Sequence, residues 1–197
     1  MATGFNISTF RTRGLTLGGA RPTLFDVFLP IPAGVGADGQ SADKFRFTCR
    51  ATSLPAATIG NIEVPYFGRR IKLAGDRVFA DWSVTVMNDE DFLVRSMFEK
   101  WSNSLNRLQA NVRDGVYAVE NDYKTDLTVR QYDKNGALIR AYDIIGAFPT
   151  TVEAIGLDWD SQNQVETFGV TFSYDYWLPS VEPTNPYAGL ATTPQST

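Results

Sequence analysis

The chain has 197 residues, of which 43% are hydrophobic and 13% aromatic, and its formal net charge is −4. This composition is that of a folded protein, most simply one domain with a complete core, and argues against a disordered chain. The acidic balance argues against tight nucleic-acid binding, which needs clustered Lys and Arg. Because histidine is absent, the usual general base and the Ser-His and Cys-His nucleophiles are missing as well.

The N-terminal part of the chain predicts an arm and two strands. Residues 1–20 are small and polar, and we expect an arm that orders only on a neighbour. Leu24–Ile31 predicts a short strand that ends early or runs along an edge, and Pro32–Asp43 predicts a loop. Lys44–Thr52 alternates between apolar and polar residues, which predicts a strand with Phe45, Phe47, Cys49 and Ala51 on one face and Arg46 on the other.

The middle of the chain predicts two strands joined by a tight turn. We expect the first strand over Asn61–Leu73, with Phe67, Ile71 and Leu73 on one face. Arg69, Arg70 and Lys72 are expected on the other, charged face. Gly75 and its neighbours Ala74 and Asp76 supply the turn chemistry. The second strand is expected over Val78–Met87, with an apolar row of Trp82, Val84 and Val86. A hairpin with one charged face is suited to lie against another surface.

A helix is predicted over about residues 89–102. Asn88 is a candidate N-cap, and the acidic residues after it favour the positive end of the helix dipole. Apolar residues then recur at helical spacing, a stripe typical of a helix that covers a core. Its members are Leu93, Val94, Met97, Phe98 and Trp101. The polar segment 102–122 predicts a surface excursion.

The second half returns to strands. Leu127–Tyr132 and Ala137–Ile144 flank an Asn-Gly turn, and another strand is expected near Thr151–Leu157. Asp158–Gln164 predicts a polar turn, and Phe168–Trp177 predicts a last alternating strand. The proline-rich residues 178–197 predict an extended C-terminal tail. About eight strands with one flanking α-helix indicate a mainly β protein, an antiparallel β-sandwich or barrel.

Several residues invite a chemical interpretation, and each has a plainer one. Asp158, Asp160 and Asn163 resemble part of a calcium loop, but the glycine and glutamate do not fall at the required spacing, so a structural turn is expected. Cys49 is expected to be a small buried hydrophobe of a protein made in a reducing cytoplasm. No membrane anchor, metal, cofactor or catalytic residue is expected, and we predict a protein that is not an enzyme.

The aromatic residues are numerous enough to suggest a carbohydrate platform, but core packing is the better expectation for most of them. Tyr66 and Tyr176 are the candidates for exposure. The full set is Tyr66, Phe67, Trp82, Trp159, Tyr174, Tyr176 and Trp177.

The chain resembles the tail tube proteins of contractile-tailed, T4-like bacteriophages. The stretch GRRIKLAGDRVFADWSVTVMNDE carries the resemblance most strongly, and further segments follow in order between about Arg21 and Trp177. These segments are Ala20–Pro22, Leu24–Val27, Phe45–Pro55, Gly68–Glu90, Val129–Tyr132, Leu157–Ser161 and Phe168–Trp177. The resemblance fades over the first twenty residues, over Ser102–Asp122 and after Leu178.

The resemblance implies a structural virion protein assembled in the host cytoplasm. It implies homohexameric rings that stack into the rigid inner tail tube, with sheets joined between subunits into a continuous inner β-barrel. The implied partners are further copies of the chain, the tail sheath protein, the baseplate and tail terminator proteins, and, transiently in the lumen, the tape measure protein and genomic DNA. Two alternatives remain: the inner tube of another contractile injection system (type VI-like), which shares this fold and carries effectors, and a carbohydrate-binding or hydrolytic β-sandwich.

Four stretches are the candidates for contacts between subunits. By motif match, the hairpin Asn61–Leu73 and the strand Val78–Met87 are expected at inter-subunit sheet contacts, followed by the loops around residues 75–77 and 158–163. We also expect the lumen wall to be acidic while the basic hairpin residues serve subunit contacts. The candidate residues are Tyr66, Phe67, Arg69, Arg70, Lys72, Asp76, Arg77, Asp158 and Asp160.

Overall fold

The computed structural model describes residues 19–32, 39–112 and 122–180, together with Ile7, Phe10 and Val35. The predictions made for most of the N-terminal arm, for residues 113–121 and for residues 181–197 lie outside the described residues. The described part is mainly β, as predicted. Its elements are β1 Phe25–Phe28, α1 Gly39–Thr48, β2 Cys49–Thr52, β3 Ala57–Tyr66, β4 Arg69–Phe79, β5 Trp82–Met87, α2 Leu93–Leu105, β6 Thr125–Tyr132, β7 Leu138–Val152, β8 Thr167–Ser173 and β9 Tyr176–Ser180.

Seven of these strands form one antiparallel sheet in the order β1-β6-β7-β8-β5-β2, and β9 also pairs with β7. The long strand β7 connects the two ends of this sheet. Its first part pairs with β6 and β9, and its last part, from Phe148 on, pairs with β8. Gly146 lies just before this change of partner and has φ +69. Glycine suits the site because the conformation strains other residues and a Cβ would collide with the Asp175 carboxylate.

The core lies between this sheet and α2. The predicted apolar row of β5 is buried, as is the predicted stripe of α2 except for Leu93, which is partly exposed. Phe98 and Trp101 of α2 stack on each other and pack edge-on against Phe172 of β8. The Trp101 indole N–H donates to the Tyr123 carbonyl at 3.1 Å, so this large side chain is buried with its polar atom satisfied.

The strand predicted over Lys44–Thr52 is wrong for most of its length, because residues 39–48 form α1. The loop predicted over Pro32–Asp43 is likewise cut short where the helix begins at Gly39. In the helix, Ser41 and Phe45 share the buried face, while Phe47 is 77% exposed. The Phe45 ring packs against Phe98 of α2 at 5.6 Å. The fold therefore has two helices in its described part, not one.

The hairpin prediction is correct in kind and wrong in position. The turn lies at Phe67-Gly68, where both residues have positive φ (42° and 81°), and not at Ala74–Asp76. Gly75 instead lies in a bulge of β4 opposite Gly60. The strand predicted over Val78–Met87 is divided between β4 and β5, and β5 pairs with β2 and β8.

The start of α2 also differs from the prediction. The helix begins at Leu93, preceded by Phe92 in the left-handed region, and no side chain caps it in the usual way. Asn88 donates its side-chain N–H to Glu166 at 3.0 Å, which ties β5 to β8. The Asp91 carboxylate accepts the Leu93 N–H at 3.0 Å, so an acid does lie at the positive end of the helix.

The β6–β7 turn is confirmed. The Asp133 carboxylate accepts the N–H groups of Asn135 and Ala137, both at 2.8 Å, and these bonds lower the pKa of Asp133. Gly136 has φ 82°.

The end of the β-structure was predicted less well. The separate strand near Thr151–Leu157 is wrong, because β7 runs through Pro149 to Val152 with a bulge after the proline. Its last part pairs with β8 alone, and proline is tolerated in a strand segment that pairs on one side only and at bulges. The last predicted strand is two strands, and β9 continues through Pro179 to Ser180. None of the helices in the described part is long and apolar enough to cross a lipid bilayer.

Candidate interaction surface

The β3–β4 hairpin is a two-stranded sheet separate from the seven-stranded one. Every residue of β3 is exposed, and β4 is exposed apart from Gly75 and Phe79. Two contacts hold the base of the hairpin: Phe79 packs against Tyr174 of the β8–β9 connection at 6.0 Å, and the Trp177 indole N–H donates to the Ala56 carbonyl at 3.3 Å. Both broad faces of the hairpin are therefore available for contact.

One face of the hairpin is apolar. Cross-strand register places Ile62 opposite Leu73 and Val64 opposite Ile71, so these four side chains share a face. They are between 41% and 53% exposed, and Tyr66 extends the row at 60% exposed. The β3 part of this apolar row was not identified from the sequence. The alternation of Ile62, Val64 and Tyr66 with other residues was the pattern that could have revealed it. An isolated two-stranded hairpin is marginal in water, so such a face is suited to being covered.

The opposite face is charged. Lys72 lies opposite Glu63, and Arg70 donates to the Glu63 carboxylate at 2.6 Å. This ion pair is exposed and contributes little to stability. Arg69, predicted on the charged face, lies instead opposite Tyr66 on the apolar face. Its charge therefore flanks the apolar row.

The hairpin tip presents an aromatic pair. The rings of Tyr66 and Phe67 meet edge to face at 4.7 Å, and Phe67 is 91% exposed. Phe67 was predicted to share a face with Ile71, but it occupies the turn. A bulky side chain with positive φ is a rare conformation that costs free energy.

The bulge near the base of the hairpin accounts for two more candidate residues. Asp76 and Arg77 are exposed in β4, and Arg77 lies opposite Ile59. A Cβ at Gly75 would lie 3.0 Å from the Gly60 carbonyl oxygen, so the two backbones approach closely there. Bulges increase the local twist of a hairpin and redirect its side chains.

The loop between β7 and β8 is the other predicted contact region. The Asp158 carboxylate accepts the Asp160 N–H at 3.1 Å and the Asp158 carbonyl accepts the Ser161 N–H at 3.2 Å, which confirms a structural turn. No group of residues in the described part has the make-up of a metal site. Trp159, expected in the core, is 99% exposed, and Leu157 is 85% exposed. Tyr176, a candidate for exposure, is 43% exposed.

The strand edges are open in one subunit. In the described part β1, β2 and β9 each pair on one side only, and β3 and β4 pair only with each other. Unpaired N–H and C=O groups along an edge are templates for another strand.

A polar cleft of about 540 Å³ has two carboxylates in its lining. It is lined partly by Asp126 and Asp175, but both are occupied: Asp126 accepts the Gly146 N–H at 3.0 Å and Asp175 forms an ion pair with Lys124 at 3.1 Å. Among the described residues that line it, none is aromatic. This part of the lining lacks the stacking platform that a sugar site needs.

Comparison with known proteins decides between the tail tube family and the carbohydrate-binding or hydrolytic alternative. The profile of the phage tail tube protein family matches residues 20–180. The chain belongs to this family. It is 42% identical over 159 residues to the tail tube protein gp19 of Enterobacteria phage T4, a match that covers 80% of this chain and 90% of the relative.

Solved structures show the same fold at lower identity. The tube-terminating cap of the anti-feeding prophage has a TM-score of 0.57 at 15% identity and covers 83% of this chain and 92% of its own. A chain from the sheath–tube complex of an extracellular contractile injection system has a TM-score of 0.54 at 16% identity and covers 91% of this chain and 100% of its own. The tail tube protein is therefore a structural component of a phage tail, and its antiparallel β-fold is the one predicted.

Proposed function

We propose that this tail tube protein polymerises as homohexameric rings stacked into the rigid inner tube of a contractile tail, through which DNA is ejected. The observation that carries the proposal is the exposed apolar face of the hairpin in a subunit of this family. The proposed role is mechanical, and we assign no catalytic residue or cofactor to it.

The size of the apolar face indicates how many contacts a subunit needs. Burying one large aliphatic side chain fully contributes about 1.5–3 kcal/mol. Ile62, Val64, Ile71 and Leu73 are each about half exposed, so covering all four side chains contributes roughly 3–6 kcal/mol. Association of two proteins costs about 4–15 kcal/mol in lost freedom alone. One such contact does not hold two subunits together, whereas a subunit with neighbours in its own ring and in adjacent rings has several.

The open edges support the same polymer. Pairing strands of neighbouring subunits joins their sheets into a continuous inner β-barrel, and closure removes the exposed edges. Stacking is head-to-tail, so the contact between rings propagates without end.

The partners follow from this arrangement. The structural relatives come from a sheath–tube complex and a tube terminator, and we propose corresponding contacts here with the tail sheath protein, the terminator and the baseplate. The tape measure protein and genomic DNA occupy the lumen transiently. The site of action is the virion, after assembly in the host cytoplasm.

The charge of the lumen follows from its cargo. An acidic wall repels phosphates and lets DNA slide, whereas a basic wall holds it. We propose that the net negative charge concentrates on the lumen, while Arg69, Arg70 and Lys72 lie at subunit contacts. A charge map of the assembled tube tests this, and a basic bore overturns it.

The fold alone fits a type VI-like inner tube equally well. The 42% identity to the T4 tail tube protein, against 15–16% to the injection-system structures, favours a phage tail.

Electron microscopy of the purified protein over a range of concentrations tests the polymer. We expect hollow filaments of uniform width above a threshold concentration. Ile71→Asp places a charge on the apolar face and should abolish them while the monomer keeps its circular dichroism spectrum. Leu108→Asp is the matched control, because Leu108 is an 89% exposed aliphatic residue away from the hairpin.

Two outcomes contradict the proposal. One is a wild-type protein that stays monomeric at every concentration and forms neither rings nor filaments. The other is an Ile71→Asp variant that assembles at the same threshold as the wild type.

A further inference from the structure

The hairpin and the β7–β8 loop carry opposite charge. Between residues 153 and 166 there are four acidic residues and no Lys or Arg. Between residues 57 and 79 there are four basic and two acidic residues, hence a net charge of +2 in a chain whose total is −4. The two segments are thus complementary in sign, and this complementarity does not follow from the overall composition.

Each segment also presents a highly exposed aromatic side chain. Phe67 at the hairpin tip is 91% exposed, and Trp159 in the loop is 99% exposed. Because neither ring is covered, the two do not contact each other within one subunit. Large exposed aromatics flanked by charges are typical of the centres of protein interfaces.

We propose that the hairpin tip of one subunit docks on the β7–β8 loop of a second copy of this chain, with Phe67 against Trp159 and Arg69 facing Asp158 and Asp160. The proposal rests on the polymer proposed above and names the surface that receives the hairpin. Because the two surfaces differ, the contact is heterologous and each bound copy presents the next free tip, as a growing tube requires.

The position of Arg69 selects it among the basic residues of the hairpin, because it directly follows the Phe67-Gly68 turn while Lys72 and Arg77 lie further along β4. Arg70 is already paired with Glu63 at 2.6 Å. Arg69 and the Asp160 carboxylate form no ion pair with any residue in the described part of the chain. The Asp158 turn fixes the backbone at Asp160, so the receiving loop needs little ordering on binding.

Cysteine cross-linking tests which surfaces meet. In a Cys49→Ser background, the Phe67→Cys and Trp159→Cys variants are purified separately, mixed under assembly conditions and oxidised. We expect a covalent dimer in the mixture and none from either variant alone. A Phe67→Cys variant that cross-links with itself indicates a symmetric contact and overturns the proposal.

A charge exchange tests the pairing independently. Arg69→Glu and Asp160→Arg should each raise the protein concentration needed for filaments by roughly tenfold or more, because like charges then face each other. The Arg69→Glu/Asp160→Arg double variant should recover most of this loss. Lys134→Glu, in the exposed β6–β7 turn, is the control and should leave the threshold unchanged.

The failure of this inference is distinguishable from failure of the proposed function. Normal filaments without the mixed cross-link, or with no recovery in the double variant, overturn the docking proposal and leave the polymer standing. Absence of filaments from the unmodified protein overturns both.

Discussion

Arg46 in α1 donates to the carboxylate of Asp26 in the edge strand β1 at 2.6 Å. Tyr132 of β6 donates to the same Asp26 oxygen at 3.1 Å, and the Asp26 carboxylate is largely buried. The hydrogen bond and ion pair with Asp26 raise the pKa of Arg46, so the guanidinium stays charged over the pH range of ordinary solution measurements. This contact fastens the helix to the edge of the sheet.

Asp26→Ala is expected to lower the free energy of unfolding by about 1–3 kcal/mol, because Arg46 and Tyr132 then lose a partly buried acceptor. Chemical denaturation at low protein concentration measures the change. In a double-mutant cycle, Arg46→Ala should cost much less once Asp26 is already alanine. Additive effects of the two substitutions would show that the pair is not coupled.

The change of partner along β7 predicts a strict requirement for glycine at position 146. Gly146→Ala should destabilise the subunit by about 1–3 kcal/mol or more, from the positive φ together with the collision with Asp175. Gly156→Ala is the control, since a Cβ there meets nothing within 4 Å and no positive φ is required. Equal midpoints of urea unfolding for the two variants would contradict this account of Gly146.

Substitution of two phenylalanines should affect stability in one case and assembly in the other. Phe172→Ala should cost about 3–5 kcal/mol, because its ring is fully buried against Trp82, Phe98 and Trp101. Phe67→Ala should change the stability of the monomer by less than about 0.5 kcal/mol, since its ring is exposed. Thermal melting measures both, and electron microscopy should show that Phe67→Ala nevertheless impairs filaments.

Cys49 should react slowly despite its position at a sheet edge. Burial against the core raises the pKa of its thiol to about 12, against an ordinary value of about 8.5. At pH ~8 the folded protein should therefore react with a thiol reagent far more slowly than the same protein unfolded in guanidinium. Equal rates in the two states would contradict the burial of the thiol.

The raised pKa of the Cys49 thiol also predicts a loss of stability at high pH. The unfolded state ionises its thiol above pH about 8.5 while the folded state does not. The contribution of Cys49 to stability is therefore full below that pH and is lost as the pH rises towards 12. In unfolding curves measured at increasing pH, a Cys49→Ser variant should lack this part of the loss of stability.

The sequence alone determined the features that depend on local spacing. The stripe of α2, the row of Trp82, Val84 and Val86, and the turn at Asn135-Gly136 all form as predicted, because burial and turn geometry act on neighbouring residues. The long ordered resemblance also identified the family, since it depends on the identity and order of residues along the chain and not on how they pack.

Tertiary contacts decided the rest. Phe45 and Phe47 fit an alternating strand, but a helix buries Phe45 against Phe98 and pairs Arg46 with Asp26, and a window of nine residues contains neither partner. The apolar rows of β3–β4 and β5 look alike as sequence. β5 is covered because β8 pairs with it and α2 packs on the core, whereas Ile62, Val64, Ile71 and Leu73 stay about half exposed in the described subunit. Whether an apolar row is core or surface depends on what packs against it, and that is a property of the whole fold.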